Sequence, residues 1–137
     1  ASRGLGQIAT PAEAAYLAGR SETPERFAHR KESLHTLLWA LDRVELLSAP
    51  RHEANFEELT RRIRRLPGTE FVEKAQLRPT EEILEEAAVH YACHGALTIA
   101  RGAETELRLE VVRERTLTLL WLIQHLRQDW DTLETSL

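Results

Sequence analysis

The stretch TEEILEEAAVHYACHGALTIA, residues 80–100, decides the architecture because it has the pattern of one long α-helix. Its opening carboxylates, Glu81 and Glu82, suit the positive end of a helix dipole, and Gly102 stands where a glycine often ends a helix. We therefore predict a helix over residues 80–101. On a helical wheel, six residues share the side that we expect to face the core: Leu84, Ala87, Ala88, Tyr91, Gly95 and Thr98.

Two capping signatures mark helix starts before that stretch. Thr10, Pro11 and Glu13 have the spacing of a capping box with proline in the first turn, and Gly19 should end the helix that they start. Thr23, which is followed by a proline, repeats the start signal. Both signals are local, so they predict where helices begin without reference to the rest of the fold.

Apolar residues at spacings of three and four predict the other helices. The predicted ranges are residues 10–19, 23–46, 54–66, 70–76, 80–101 and 106–126. In the helix over 54–66, the core side is expected to carry Phe56, Leu59, Ile63 and Leu66. Because no stretch alternates convincingly with period two, we predict an all-α fold, a single compact domain of five or six helices over residues 1–137.

Two segments resemble each other and should form the centre of the fold. TLLWAL at 36–41 and TLLWLI at 118–123 each place a tryptophan in a leucine-rich run. Tryptophan among leucines at helical spacing is typical of a packed core. We expect two central helices that pack together, with Trp39 and Trp121 anchoring the core.

Composition narrows the classes of function. The 137 residues are 42% hydrophobic and 29% charged, with a formal net charge of −4 and a single cysteine. This acidic balance argues against nucleic acid as the main partner, and one cysteine fits a reducing compartment, so we expect a cytoplasmic protein. The longest apolar run, Leu119 to Ile123, is far shorter than the roughly 20 residues of a membrane span, so no membrane association is predicted. Since methionine is absent even at position 1, we expect the C-terminal part of a longer gene product.

His90 and His94 suggest a metal site, because residues four apart share a helix face. With Glu86 they form a row that could offer two nitrogens and an oxygen to zinc or iron. However, three ligands at successive steps of four span about 12 Å of helix axis, so another helix would have to contribute, through His35, His125 or a glutamate. The segment also lacks the glutamate of an HExxH motif. The leading prediction is no metal and no cofactor; a metal-dependent hydrolase using His90 and His94 is the alternative.

Two further features are candidates for binding or catalysis. RRIRR at 61–65 puts four arginines around one isoleucine, which is typical of a solvated basic face and only secondarily of an RNA-binding module. Cys93 lies in the middle of a predicted helix, away from any helix N-terminus that would activate a thiol. We expect it to be a small, partly buried apolar residue rather than a nucleophile or a metal ligand.

Four segments in order carry a family resemblance: HRKESLHTLLWAL (29–41), LRPTEEILEEAAVHYACHGAL (77–97), VVRERTLTLLWLI (111–123) and DWDTLET (129–135). Together they resemble the bacterial domain of unknown function 4272. The matching residues are Arg30, Glu32, Trp39, Arg78, Pro79, Tyr91, His94, Glu114, Arg115, Trp121, Trp130 and Asp131. The chain departs from the family pattern at His29, Ala92 and Gly95, where larger or basic side chains are usual. The resemblance implies no activity.

Four of the matching residues suggest a site of their own. They lie six to nine residues before the two tryptophans: Arg30 and Glu32 before Trp39, and Glu114 and Arg115 before Trp121. Two packed helices would bring them together as a partly buried ion network. The network would fix the helix register, or alternatively its arginines would bind an anion. For the whole chain, we expect a non-enzymatic module of the immunity or regulatory type that binds another protein. Whether it has an enzymatic activity stays open at this stage.

Overall fold

The computed structural model describes residues 10–20, 28–65, 67–100, 104–123 and 129–131. These residues form six helices and no strand, so the predicted all-α class is confirmed. The helices are α1 (Pro11–Leu17), α2 (Arg30–Ala40), α3 (Phe56–Arg64), α4 (Gly68–Glu73), α5 (Thr80–Ile99) and α6 (Leu109–Leu122). Five features predicted above lie outside the described residues: the helix start at Thr23, the core residue Leu66, the stop at Gly102, the candidate ligand His125 and the helix end at 126.

The predicted capping box of α1 is confirmed. The Thr10 side chain accepts a hydrogen bond from the Glu13 backbone N–H, and the Glu13 carboxylate accepts one from the Thr10 N–H at 3.1 Å. Asp131 adds a long-range tie, since its carboxylate accepts from the Thr10 hydroxyl at 2.6 Å. The helix ends before Gly19, whose φ of 70° is a conformation that glycine adopts without strain. Local signals thus determine both ends of this helix.

The predicted end of the second helix, at residue 46, is wrong, because α2 stops at Ala40. Arg78 explains the early end. Its guanidinium donates to the carbonyls of Trp39 at 2.6 Å and Val44 at 2.9 Å, and it lies 4.9 Å from the centre of the Trp39 ring. The Trp39 carbonyl also accepts from the Asp42 N–H at 3.0 Å, so Arg78 adds to the bonds that hold the end of α2, and the chain turns away through Asp42 at a φ of 57°.

α6 is the central element and packs against both α2 and α5. Its buried residues run almost without interruption from Val111 to Leu120. Trp39, with 5% of its surface exposed, belongs to the core as predicted. Trp121 was expected to be a second core anchor and is not: it is 38% exposed and contacts Trp130 edge-on, with ring centroids 5.1 Å apart. Since Leu122 and Ile123 pack against the core, Trp121 lies on another side of the last turn of α6.

The predicted core side of α5 is also wrong except at Ala87, which is buried as predicted. Ile83, Ala87 and His90 are buried, whereas Leu84 is 45% and Tyr91 55% exposed. The buried line lies about one residue, or 100°, around the helix from the predicted one. Since α5 packs chiefly on α6, it buries a narrow strip and leaves the adjoining apolar residues uncovered. None of the helices among the described residues is long and apolar enough to cross a membrane.

Candidate functional site

Glu32 of α2 and Arg115 of α6 form a fully buried ion pair. Both residues have 0% of their surface exposed, and the Arg115 Nε donates to Glu32 Oε2 at 3.2 Å. The other Glu32 oxygen accepts from the Ala54 backbone N–H, and Arg115 Nη1 donates to the Ser48 carbonyl. The pair therefore connects two helices and also holds the connecting segment between α2 and α3.

A second pair joins the same two helices. Arg30 Nη1 donates to Glu114 Oε1 at 3.0 Å, and the Ser33 hydroxyl donates to the same oxygen at 2.7 Å. The Arg30 guanidinium also lies 4.8 Å from the centre of the Trp130 ring. The structure thus brings Arg30, Glu32, Glu114 and Arg115 together as two adjacent pairs, which we call the ion network. Because both pairs cross from α2 to α6, they favour one register between these helices.

The surroundings of Arg115 limit what the ion network can bind. Arg115 Nη2 contacts His35 Nδ1 at 3.5 Å, so every nitrogen of the guanidinium has a partner within the protein. Burial, and then the positive charge of Arg115, lower the pKa of His35 below its usual value, which favours the neutral ring. A cleft of about 630 Å³ lies over His35 and Arg115, but the guanidinium itself is closed to solvent. This geometry favours a structural role over anion binding.

His90 and His94 have different environments. His90 is 5% exposed; its Nδ1 lies 2.9 Å from the Glu86 carbonyl oxygen, which can only accept, so Nδ1 carries the hydrogen. Its Nε2 is buried and has no hydrogen-bond partner among the described residues. Burial lowers the pKa of His90, with Glu86 opposing this effect, and burial also lowers the pKa of the half-buried His94. Both rings are therefore mainly neutral at pH 7.

The geometry gives the metal alternative no support in the part of the chain that the structure describes. No group of three or more His, Cys, Asp or Glu side chains there could hold a metal ion. His35, the predicted third ligand within this part, contacts Arg115 instead. Burial raises the pKa of the Cys93 thiol, which disfavours the reactive thiolate. The hydrolase hypothesis stays a prediction without a supporting arrangement of residues.

The arginine run lies on an open surface of α3. Arg62 pairs with Glu58 at 3.1 Å, whereas Arg61 and Arg64 have no ion-pair partner among the described residues. Phe56 was predicted to lie on the core side of this helix and is 60% exposed. As the first residue of α3 it lies before the turn in which Leu59 reaches the core. We call Phe56, Thr60, Arg61 and Arg64, which line a surface cavity of about 430 Å³, the α3 face.

An apolar stripe on α5 was predicted to face the core and is exposed instead. We call Leu84, Ala88 and Tyr91 the α5 stripe. With Leu120 of α6 and Ile123, the residue after α6, they line an open groove of about 350 Å³. On the helical wheel, Gly95 continues the stripe, and a Cβ added there would meet nothing within 4 Å.

Acidic residues border the α5 stripe. Glu81 and Glu85 are exposed beside it, and neither has an ion-pair partner among the described residues. The spacing in the sequence correctly predicted that these apolar residues share one side of α5. What the pattern did not reveal is that no other described helix covers it.

Comparison with known proteins gives one match. The model of the family described as "Domain of unknown function (DUF4272)" matches residues 1–133 of the 137-residue chain. No curated protein and no solved structure matches the chain.

Proposed function

The chain belongs to the DUF4272 family, and from that premise we propose that it is a non-enzymatic module that binds another protein, in an immunity or regulatory role. The α5 stripe carries this proposal. The spacing of Leu84 and Tyr91 along α5 is typical of residues that face a core, yet these residues are 45% and 55% exposed. Contiguous apolar surface with a polar rim is typical of a protein-binding site.

The composition of the surface indicates the chemistry of the partner. Tyrosine is enriched at the centres of interfaces because its ring buries a large area and its hydroxyl keeps a polar partner. The groove between α5 and α6 has room for one apolar side chain of the partner. Glu81 and Glu85 favour a partner that presents lysine or arginine beside that side chain.

The ion network supports this function indirectly. It ties α6 to α2, and α6 with the residue that follows it supplies Leu120 and Ile123 to the groove. The buried ion pairs hold the α6 side of the groove in place in the unbound protein. A preformed site loses less conformational entropy when it binds. In this interpretation the four charged residues are structural and contact no ligand.

Capture followed by reconstitution tests the proposal. The tagged chain is expressed in its native host, the captured protein is identified, and binding is measured by calorimetry with both proteins purified. We expect a Leu84→Lys/Tyr91→Lys variant to lose at least about thirtyfold in affinity, as for residues at the centre of an interface. Val89→Lys is the matched control, since Val89 is 63% exposed on another side of the same helix. Equal affinity of the wild type and the stripe variant contradicts the proposal.

A further inference from the structure

The chain carries a second surface that is complementary to the α5 stripe. The α3 face has an exposed aromatic ring, Phe56, beside Arg61 and Arg64, neither of which has an ion-pair partner among the described residues. The α5 stripe has an apolar groove beside Glu81 and Glu85, which also lack such partners. Each surface therefore offers what the other lacks: an apolar side chain for a groove, and two cations for two carboxylates.

The spacing of these groups along the two helices also agrees. At 1.5 Å per residue, Arg61 and Arg64 lie about 7.5 and 12 Å along the axis from Phe56. From the midpoint between Ala88 and Tyr91, residues 85 and 81 lie about 7 and 13 Å along α5. When α3 runs antiparallel to α5 with Phe56 at the groove, Arg61 lies level with Glu85 and Arg64 lies level with Glu81. A parallel arrangement fails, because the arginines follow Phe56 in α3 whereas the glutamates precede Ala88 and Tyr91 in α5.

We propose that the α5 stripe is a docking site for the α3 face of a second copy of this chain, with the two helices antiparallel, Phe56 in the groove, and Arg61 and Arg64 at Glu85 and Glu81. This inference rests on the proposed function, in that it names a partner for the same surface. Glu57 also lines the α3 cavity and reduces its positive charge, so the two arginines together are needed for net attraction. Because the whole chain carries a net charge of −4, long-range repulsion between copies opposes the contact, and the local charge pattern must overcome it.

Charge reversal followed by mixing tests this contact with the full chain. Analytical ultracentrifugation measures self-association up to about 1 mM for the wild type, for Arg61→Glu/Arg64→Glu, and for Glu81→Arg/Glu85→Arg. We expect the wild type to associate and each variant alone to associate at least about tenfold more weakly, because like charges then face each other. A mixture of the two variants should recover association, since each supplies the charge that the other has lost.

Control variants separate this contact from a general charge effect. Arg51→Glu, at a 56% exposed side chain outside both surfaces, should leave the association constant unchanged. Phe56→Ser should weaken association without any change of charge. A monomeric wild type, or a mixture that associates no better than its components, overturns the inference. Neither result bears on the proposed function, which fails only if the Leu84→Lys/Tyr91→Lys variant binds the captured partner as tightly as the wild type does.

Discussion

At the scale of single residues, the burial of Glu32 and Arg115 is the most consequential feature. Neither side chain is reached by solvent, so each depends on the other and on buried protein groups: the Ala54 N–H for Glu32, and the Ser48 carbonyl and His35 for Arg115. A buried pair of this kind adds little stability compared with two apolar residues. Removing one member, however, leaves the other charge buried without compensation.

We expect Glu32→Gln to lower the free energy of unfolding by about 3–5 kcal/mol, since Arg115 would stay buried without a countercharge. Urea unfolding followed by circular dichroism measures the change. Glu58→Gln is the matched control, because the Glu58 carboxylate is 54% exposed in its pair with Arg62 and the loss should stay below about 1 kcal/mol. Similar losses in the two variants would contradict a structural role for the ion network.

At the scale of elements, the sequence predicts a helix well where its signals are local. The capping residues Thr10 and Glu13 are three positions apart, and they start α1 where the pattern says. The end of α2 depends instead on Arg78, which is 39 positions beyond Trp39 in the chain. No local pattern contains that contact. Periodicity likewise predicted the apolar stripe of α5, but the side that α6 covers is decided by packing.

Arg78→Ala should release the segment that follows α2. The variant loses hydrogen bonds from a charged donor to several carbonyls, which together should cost about 2–3 kcal/mol. Hydrogen exchange of the Asp42 and Arg43 amides, which bond back to Trp39 and Leu38, should become faster. Arg51→Ala serves as the control, and unchanged exchange in Arg78→Ala would show that the segment holds its shape without the guanidinium.

At the scale of the whole molecule, α2, α5 and α6 share apolar contacts, and α2 and α6 also share buried charges. Family resemblance singled out Arg30, Glu32, Glu114 and Arg115 from the sequence. Which carboxylate meets which arginine depends on how α2 packs on α6, and spacing along each helix does not determine that. The single domain and the cytoplasmic location stay predictions.

Buried histidines should make the stability of the fold sensitive to mild acid. His35 and His90 have pKa values lowered from 6.5 by burial, so below pH 6.5 the unfolded chain binds protons that the folded chain resists. The free energy of unfolding should therefore be highest above pH 6.5 and fall as the pH drops from 6.5 to 5. Each histidine contributes at most about 1.4 kcal/mol per pH unit.

Urea titrations at several pH values measure this dependence, and the slope should decrease in His90→Gln and again in the double variant with His35→Gln. His52→Gln, at an exposed ring, is the control. A slope that is the same in all of these variants would assign the acid sensitivity to other groups.

Substitution of Gly95 is a way in which the size of the α5 stripe can change during evolution. The space beside its Cα is open, so one codon change can add a large side chain at the end of the stripe while the packed side of α5 stays as it is. The family resemblance associates a tryptophan with this position. Related lineages can therefore lengthen or shorten the contact surface, and so alter the choice of partner, by a mutation that the interior does not have to accommodate.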